Sequence, residues 1–435
     1  MTNWAFAIRA LRSRNYRLFF GGQSISLIGT WMTRLATAWL VYRLTGSEVL
    51  LGVIGFASQI PAFVLGPIAG VWVDRWDRHR TLIVTQVLSM LQSFALAALA
   101  LSNVITVNEL IALALFQGVI NAFDMPVRQS FVIRMVENRD DLGNAIALNS
   151  SMVNGARLIG PAIAGAMVAA TNEGWCFFID GVSYIAVIAS LLAMRVAAGS
   201  GAAPRRHVFQ ELAEGWNYIT GSLAIRSILV MVGLISLAGM PYSVLMPVVV
   251  SDVLHGGPHT LGWLMAATGA GAFAGAVSLA LRRSVLGLGR LIALSAGVFG
   301  LALIAFAWSR SLWVSLAVLP LVGFGMMRQM AASNTILQTI VSDEKRGRVM
   351  AFYSMAFLGM APFGSLIAGY ISARIGAPRT IALSGVVCIA GAAWFALRLP
   401  ALRDVIRPIY RDLGILPEMT QGVGEATALQ TPHAQ

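Results

Sequence analysis

Gly143, Ala147, Gly155, Gly160, Ala164 and Gly165 return with the same spacing as Gly347, Ala351, Gly359, Gly364, Ala368 and Gly369. Both copies sit in long, almost uncharged stretches of small residues. An internal repeat constrains architecture more tightly than local propensity does, because each copy has to meet an equivalent environment. Two like halves in a membrane chain point to a path that runs between them.

The membrane is implied by composition. Of 435 residues, 57% are hydrophobic and 11% charged, whereas soluble domains carry about 25% charge. Apolar stretches near the length of a bilayer crossing recur along the whole chain. Twelve spans are expected, at 18–42, 49–73, 80–101, 108–127, 144–170, 175–195, 227–250, 260–281, 290–308, 312–329, 347–371 and 379–398. The formal charge of +12 could suggest nucleic acid, but most of the 31 Lys and Arg fall in alternate connections and at the two ends. That is the positive-inside pattern, and it makes those segments and both termini cytoplasmic. The basic N-terminus (Arg9, Arg12, Arg14, Arg17) precedes a full-length span containing Arg34, unlike a cleaved signal peptide.

The expected fold class is therefore an all-α membrane protein, with twelve transmembrane helices in two pseudo-symmetric six-helix bundles. Residues 1–195 form the first half and 226–398 the second. Between them, 196–225 is a cytoplasmic linker that starts loop-like. Phe209, Leu212, Trp216 and Ile219 then fall on one helical stripe, with Glu211 and Glu214 off it, which reads as an amphipathic interfacial helix. Residues 399–435 are expected to be a largely disordered cytoplasmic tail, polar after Arg411. Cys176 and Cys388 are two isolated thiols in or beside apolar spans, so packing is their expected role.

The most specific motif follows the second span: Gly70, Asp74, Arg75, Asp77, Arg78, His79 and Arg80 in one loop. It resembles the signature loop of the major facilitator superfamily, with Asp77 in place of the usual second Gly. The resemblance implies a cytoplasmic gate or charge relay built from Gly70, Asp74, Arg75, Arg78 and Asp124, the last an acid in span 4. The alternative is a positive-inside loop balanced by its own acids. Gly160-Pro161 and Gly165 in span 5 resemble the Gly-Pro motif of export-type antiporters, although Met152, Ala156 and Ala164 stand where that pattern has Gly. Pro362 and Gly364 mark the equivalent bend in the second half. Small residues permit close helix approach, and a proline bends a span; close packing without directional meaning is the other reading. Asn121 to Gln129, Asn144 to Asn149 and Arg346 to Met350 are similar to the subgroup of siderophore exporters and macrolide and other drug efflux pumps. The superfamily's span 4 antiporter Arg is replaced here by Ala114, so coupling through that residue is excluded.

Charges inside spans cost several kcal/mol unless paired or wetted. Arg157 sits near the middle of span 5 and should face a central cavity. It is either an anchor for an anionic or polar substrate group, an electrostatic partner in coupling, or a structural partner of Asn154 or Asn121. Arg34 lies in the outer half of span 1 and either faces the cavity or snorkels. Asp180, early in span 6, is a candidate proton site. Gln23, Gln59 and Asn121 complete the expected substrate path.

No phosphate-cradling Gly-Lys-Ser/Thr loop is present, so the expected energy source is a proton gradient rather than ATP. No cofactor, metal site, nucleic-acid partner or enzymatic constellation is expected. The resemblance implies a secondary active exporter of a small amphiphilic molecule, a drug or siderophore, acting by alternating access as a monomer in the lipid bilayer. A nutrient importer of the same fold and a lysolipid flippase remain open. Lys345 is the single lysine, an arginine bias that suggests a bacterial inner (plasma) membrane.

Overall fold

The computed structural model describes residues 8–73, 76–195, 208–282 and 284–415. The described residues fold into thirteen principal helices. In the first half these are α1 (Arg14–Thr45), α2 (Glu48–Ala57 continued by Ile60–Val73), α3 (Arg78–Leu101), α4 (Val107–Met135), α5 (Leu142–Ala170) and α6 (Glu173–Leu192). A linker helix, α7 (Val208–Gly221), leads into the second half. That half comprises α8 (Leu223–Val253), α9 (Pro258–Ala280), α10 (Leu288–Trp308), α11 (Leu312–Ile340), α12 (Asp343–Ile375) and α13 (Ala377–Asp412).

Eleven of these segments are long and apolar enough to cross a membrane. Helix α1 supplies the twelfth crossing. Its 32 residues span about 48 Å at the α-helical rise, but Gln23, its serines and Arg34 lower its hydropathy. The twelve-span architecture expected from the sequence is the architecture observed.

Proline sets the irregularities. Helix α2 breaks at Ser58–Gln59, just ahead of Pro61, because proline lacks an N–H and its ring crowds the carbonyl one turn back. Wide π turns at Ile235–Gly239 and Met355–Gly359 lie just before Pro241 and Pro362, where freed carbonyls need an alternative register. Pro161, by contrast, sits inside an uninterrupted α5.

Two expectations are corrected. Helix α8 continues through Val253, past the expected limit at 250, so Asp252 is helical. Helix α13 runs to Asp412, so 399–412 is not a disordered tail. There Leu402 and Tyr410 are buried, with Ile406 and Ile409 packed on the same core, a spacing that places them on one side of the helix. On α7, Ile219 is buried and Trp216 is more than half exposed. This helix docks on α12. Glu214 pairs with Arg348 at 2.8 Å, and the Lys345 ammonium lies 4.5 Å from the Tyr218 ring centroid. Phe209, Glu211 and Leu212 have no described side chains, and 196–207 and 416–435 lie outside the described residues.

The repeat is visible as geometry. At the face opposite the basic loops, α5 crosses α9, and α12 crosses α2. A Cβ on Gly262 would lie 2.6 Å from the Pro161 carbonyl and 2.9 Å from Gly165 Cα. A Cβ on Gly52 would lie 2.6 Å from the Ser365 carbonyl and 3.2 Å from Gly369 Cα. Gly165 and Gly369 are the last residues of the two repeat copies, so each copy closes the same backbone-to-backbone crossing against the other half. Only glycine permits such an approach.

Replacing Gly165 with Leu should therefore wedge α5 from α9 and open this face. Labelling of a Thr37→Cys reporter, which lines the central cavity, should rise when a membrane-impermeant maleimide is applied from that side. Native Cys176 and Cys388 are buried, so background should be low. Unchanged labelling would show that the crossing does not hold the face shut.

Candidate functional site: a central cavity between the halves

A cavity of about 2480 Å³ lies between the two halves. It reaches the basic face between Trp76, Asp77, Arg128 and Gln129 of the first half and Gly347 and Arg348 of the second. At the opposite face the two glycine crossings close it. A hydrogen bond between the halves adds to that closure: the Tyr42 hydroxyl of α1 donates to Asp252 Oδ2 of α8 at 2.6 Å. Beside it, Arg43 forms a bidentate pair with the buried Glu173 at 2.8 and 3.0 Å, anchoring the start of α6 to the end of α1. Phe363 of α12 meets Phe56 and Phe63 of α2 edge-on, each with ring centroids 5.9 Å apart. The cavity is thus open on one side of the bundle and sealed on the other.

Arg157, Arg34, Gln23, Gln59, Asn121 and Asp180 all line this one cavity. Gln23 is buried in α1. Gln59 stands at the break in α2 and donates to the Gly55 carbonyl at 3.0 Å. Asn121 accepts from Gln117 at 3.2 Å. Arg157 lies where α5 crosses α9, since a Cβ on Gly269 would sit 2.8 Å from the Arg157 carbonyl. Arg34 is surrounded by the bundle yet solvent-exposed, so its exposure is to the cavity. Its guanidinium lies 4.7 Å from the Trp31 ring centroid, and that of Arg157 lies 5.4 Å from the same ring. Trp31 was not singled out from the sequence; a Trp one turn from an in-span Arg is a weak signal alone.

Asp180 is buried and accepts hydrogen bonds at Oδ2 from Thr33 and Ser93, both at 2.9 Å. Its Oδ1 has no partner. No cation pairs with it among the described residues.

At the basic end, Asp124 is the centre of a buried network. It accepts from Thr85 at 2.8 Å and Gln86 at 2.7 Å at Oδ1, and pairs through Oδ2 with Arg128 one turn along α4. Arg128 is not among the residues expected for the gate, although its i, i+4 spacing from Asp124 is legible in the sequence. Asp74 and Arg75 lie outside the described residues, and Gly70 lies in the last turns of α2. Arg78 begins α3, whose N-cap is Asp77: its carboxylate accepts from the Arg80 amide at 2.8 Å. The acid that replaces the usual glycine therefore caps a helix, where an anion is favoured by the N-terminal dipole. Gly160 and Gly364 also have equivalent settings. Each faces the backbone of its half's first helix, at the Ile28 carbonyl and the Leu237 carbonyl respectively.

Among the described residues no group of three or more His, Cys, Asp or Glu could hold a metal ion. The arrangement can bind and release a solute; nothing in it aligns a nucleophile with a base.

Two pseudo-symmetric six-helix halves around a cavity open on one side define a secondary transporter of the major facilitator type. Solved structures with this fold include a bacterial homologue of the lysosomal transporter Spinster, at TM-score 0.68 and 15% identity over 89% of this chain and 96% of that one. Another is a peptide-bound POT family transporter, at TM-score 0.71 and 12% identity over 89% and 96%. The family model for transmembrane secretion effectors matches residues 5–408, and the chain belongs to that family. Its relatives include the staphyloferrin A transporter of Staphylococcus aureus, 26% identical over 88% of this chain and 96% of the relative. The multidrug efflux pump Tap of Mycolicibacterium fortuitum is 27% identical over 87% and 93%. Macrolide efflux protein A of Streptococcus pyogenes is 20% identical over 86% and 95%.

Removing Arg128 should leave the Asp124 carboxyl with only the neutral donors Thr85 and Gln86. Arg128→Ala is expected to lower stability by about 2 kcal/mol, the scale of a lost hydrogen bond to a charged group. The double variant Arg128→Ala with Asp124→Asn should recover much of this. Thermal melts in detergent would show it; equal melting of wild type and Arg128→Ala would mean that the pair carries no such load.

Proposed function

We propose that this protein exports a small amphiphilic molecule from the cytoplasm of a bacterium, across the inner membrane, by alternating access. The observation that carries the reading is a cavity open at the basic face and closed at the other. Basic loops are retained on the cytoplasmic side, so that opening and both termini face the cytoplasm. A solute would enter from the cytoplasm or inner leaflet. The halves would then rock about the midplane, parting the Gly165–Gly262 and Gly369–Gly52 crossings and the Tyr42–Asp252 bond while the basic ends close. Asp124 and Arg128, with the loop carrying Asp74, Arg75 and Arg78, would form the contacts of the closed cytoplasmic side.

The relatives' names support siderophores and drugs as the solute range. The cavity supports it physically: its volume exceeds the several hundred Å³ typical of drug-sized ligand sites, and its wall mixes aromatic and aliphatic surface with many polar side chains, as an amphiphilic solute requires. The working unit is a single chain, because the cavity is completed by its own two halves.

Asp180 is the proposed proton site. A buried carboxylate with an unpartnered oxygen and no cation beside it is costly to keep charged, and it lines the cavity where water can deliver a proton. Thr33 ties it to α1, so protonation would alter how α1 and α6 pack. The proton gradient would supply the energy.

Inside-out vesicles from expressing cells test both statements, with a panel of fluorescent dyes, macrolides and siderophores. Accumulation of a compound under an imposed proton gradient, abolished by an uncoupler, is expected for wild type. Asp180→Asn should lose gradient-driven accumulation while still binding that compound as purified protein. Normal accumulation by Asp180→Asn would remove Asp180 from coupling. Uptake only into right-side-out vesicles would instead make the protein an importer, and redistribution of a labelled lysolipid alone would make it a flippase.

A further inference from the structure

The cavity contains a charge imbalance that the transport cycle does not explain. Arg34 and Arg157 face it from α1 and α5, with both guanidinium groups within 5.4 Å of the Trp31 ring centroid. Neither forms an ion pair or a hydrogen bond to any described residue. None of the three acids that line the cavity pairs with either arginine. Asp77 caps α3, Asp124 is bonded to Arg128, Thr85 and Gln86, and Asp180 accepts from Thr33 and Ser93. Two cations deep in a membrane protein are therefore ion-paired with no carboxylate among the described residues.

The surroundings suit a ligand rather than a structural pair. Arg34 is exposed and Arg157 part-exposed, and both line the cavity, so they are reachable from it. Trp31 gives the two planar cations a surface to stack on, which fixes their direction without using their N–H donors. Guanidinium donors held in this way match a carboxylate's two oxygens. Tyr242 and Thr268 of the second half line the cavity near Arg157, so an anion bound there would touch both halves. Low-dielectric walls focus the field of the two cations on the space between them.

We propose that Arg34, Arg157 and Trp31 form the anion-binding subsite of the transport cavity, and that the exported solute is an organic anion with at least one carboxylate on an apolar body. This rests on the export reading for the word exported; the subsite itself rests only on the geometry. The carboxylate engages the two guanidiniums. Its apolar body lies along the part of the cavity lined by Leu27, Met240, Met265 and Leu261. A carboxylate held by the two first-half arginines and touching Tyr242 and Thr268 of the second half gives the bound solute a direct hold on the relative position of the halves.

Three probes of similar body separate the charge from the shape: dansyl-phenylalanine, its methyl ester and the cationic dansylcadaverine. Each is titrated against the purified full chain in nanodiscs and followed by dansyl emission. The acid should bind about tenfold more tightly than its ester, the scale of one charge-assisted contact. In Arg34→Gln with Arg157→Gln that preference should vanish, while the ester's affinity stays within about twofold. Arg157→Lys should keep part of the preference, because it retains the charge without the fork. Equal binding of acid and ester to wild type, an undiminished preference in the double variant, or no binding of any probe would overturn the subsite. Transport is read separately in inside-out vesicles. Accumulation of dansylcadaverine without any acid preference would sink the anion subsite and leave export standing. Arginine-dependent acid binding with no transport of any probe would leave the subsite standing and count against export.

Discussion

Two backbone crossings hold the arrangement described here. Gly165 on Gly262 and Gly369 on Gly52 bring helices of opposite halves close enough that no side chain fits between them. Membrane helices gain little from hydrophobic association, so contact distance decides how well they adhere. The consequence is mechanical. Because the two crossings lie at one face only, the halves meet there and separate towards the other, which creates the cavity. Every polar group assigned to the solute path depends on that asymmetry for its access to water.

The Tyr42–Asp252 bond and the Asp124 network sit at opposite ends of the same lever. The first joins the halves directly at the sealed face. The second stays within one half, tying α3 to α4 at the open face. A gate of this kind needs its bonds to be breakable. An exposed tyrosine–carboxylate contact is screened by water and costs little to part, whereas the Asp124 cluster is buried and ties α3 to α4 within its own half. Arg34 and Arg157 lie between these ends, where charge is expensive unless water or an anion attends it.

Much of this was legible in the sequence. Spacing alone disclosed the repeat, and the repeat copies end on the two glycines that make the crossings. Apolar length and loop charge gave twelve spans, including α1, whose own composition is the least membrane-like. Arg34, Arg157 and Asp180 stood out because charges are rare in such spans, and all three line the cavity. The remaining features need three dimensions. Nothing local in Tyr42 or Asp252 indicates a partner some two hundred residues away, and ending the span at 250 placed Asp252 outside the bundle. Trp31 looks like any interior aromatic until two guanidiniums are seen beside it. Apolar length and flanking charge end the last span at 398, yet Leu402 and Tyr410 find a buried surface beyond it.

The central claim is that the two faces open in opposition. Spin labels at Leu44 and Leu254 report the sealed face, and labels at Gln129 and Glu344 report the basic face. Pulsed electron double resonance in lipid nanodiscs, over a range of pH and with a bound probe, gives both distance distributions. The account predicts anticorrelated populations: as the Leu44–Leu254 distance lengthens, the Gln129–Glu344 distance shortens by the same fraction of molecules. Distances that lengthen together, or a sealed-face pair that never moves in a protein that transports, would contradict it.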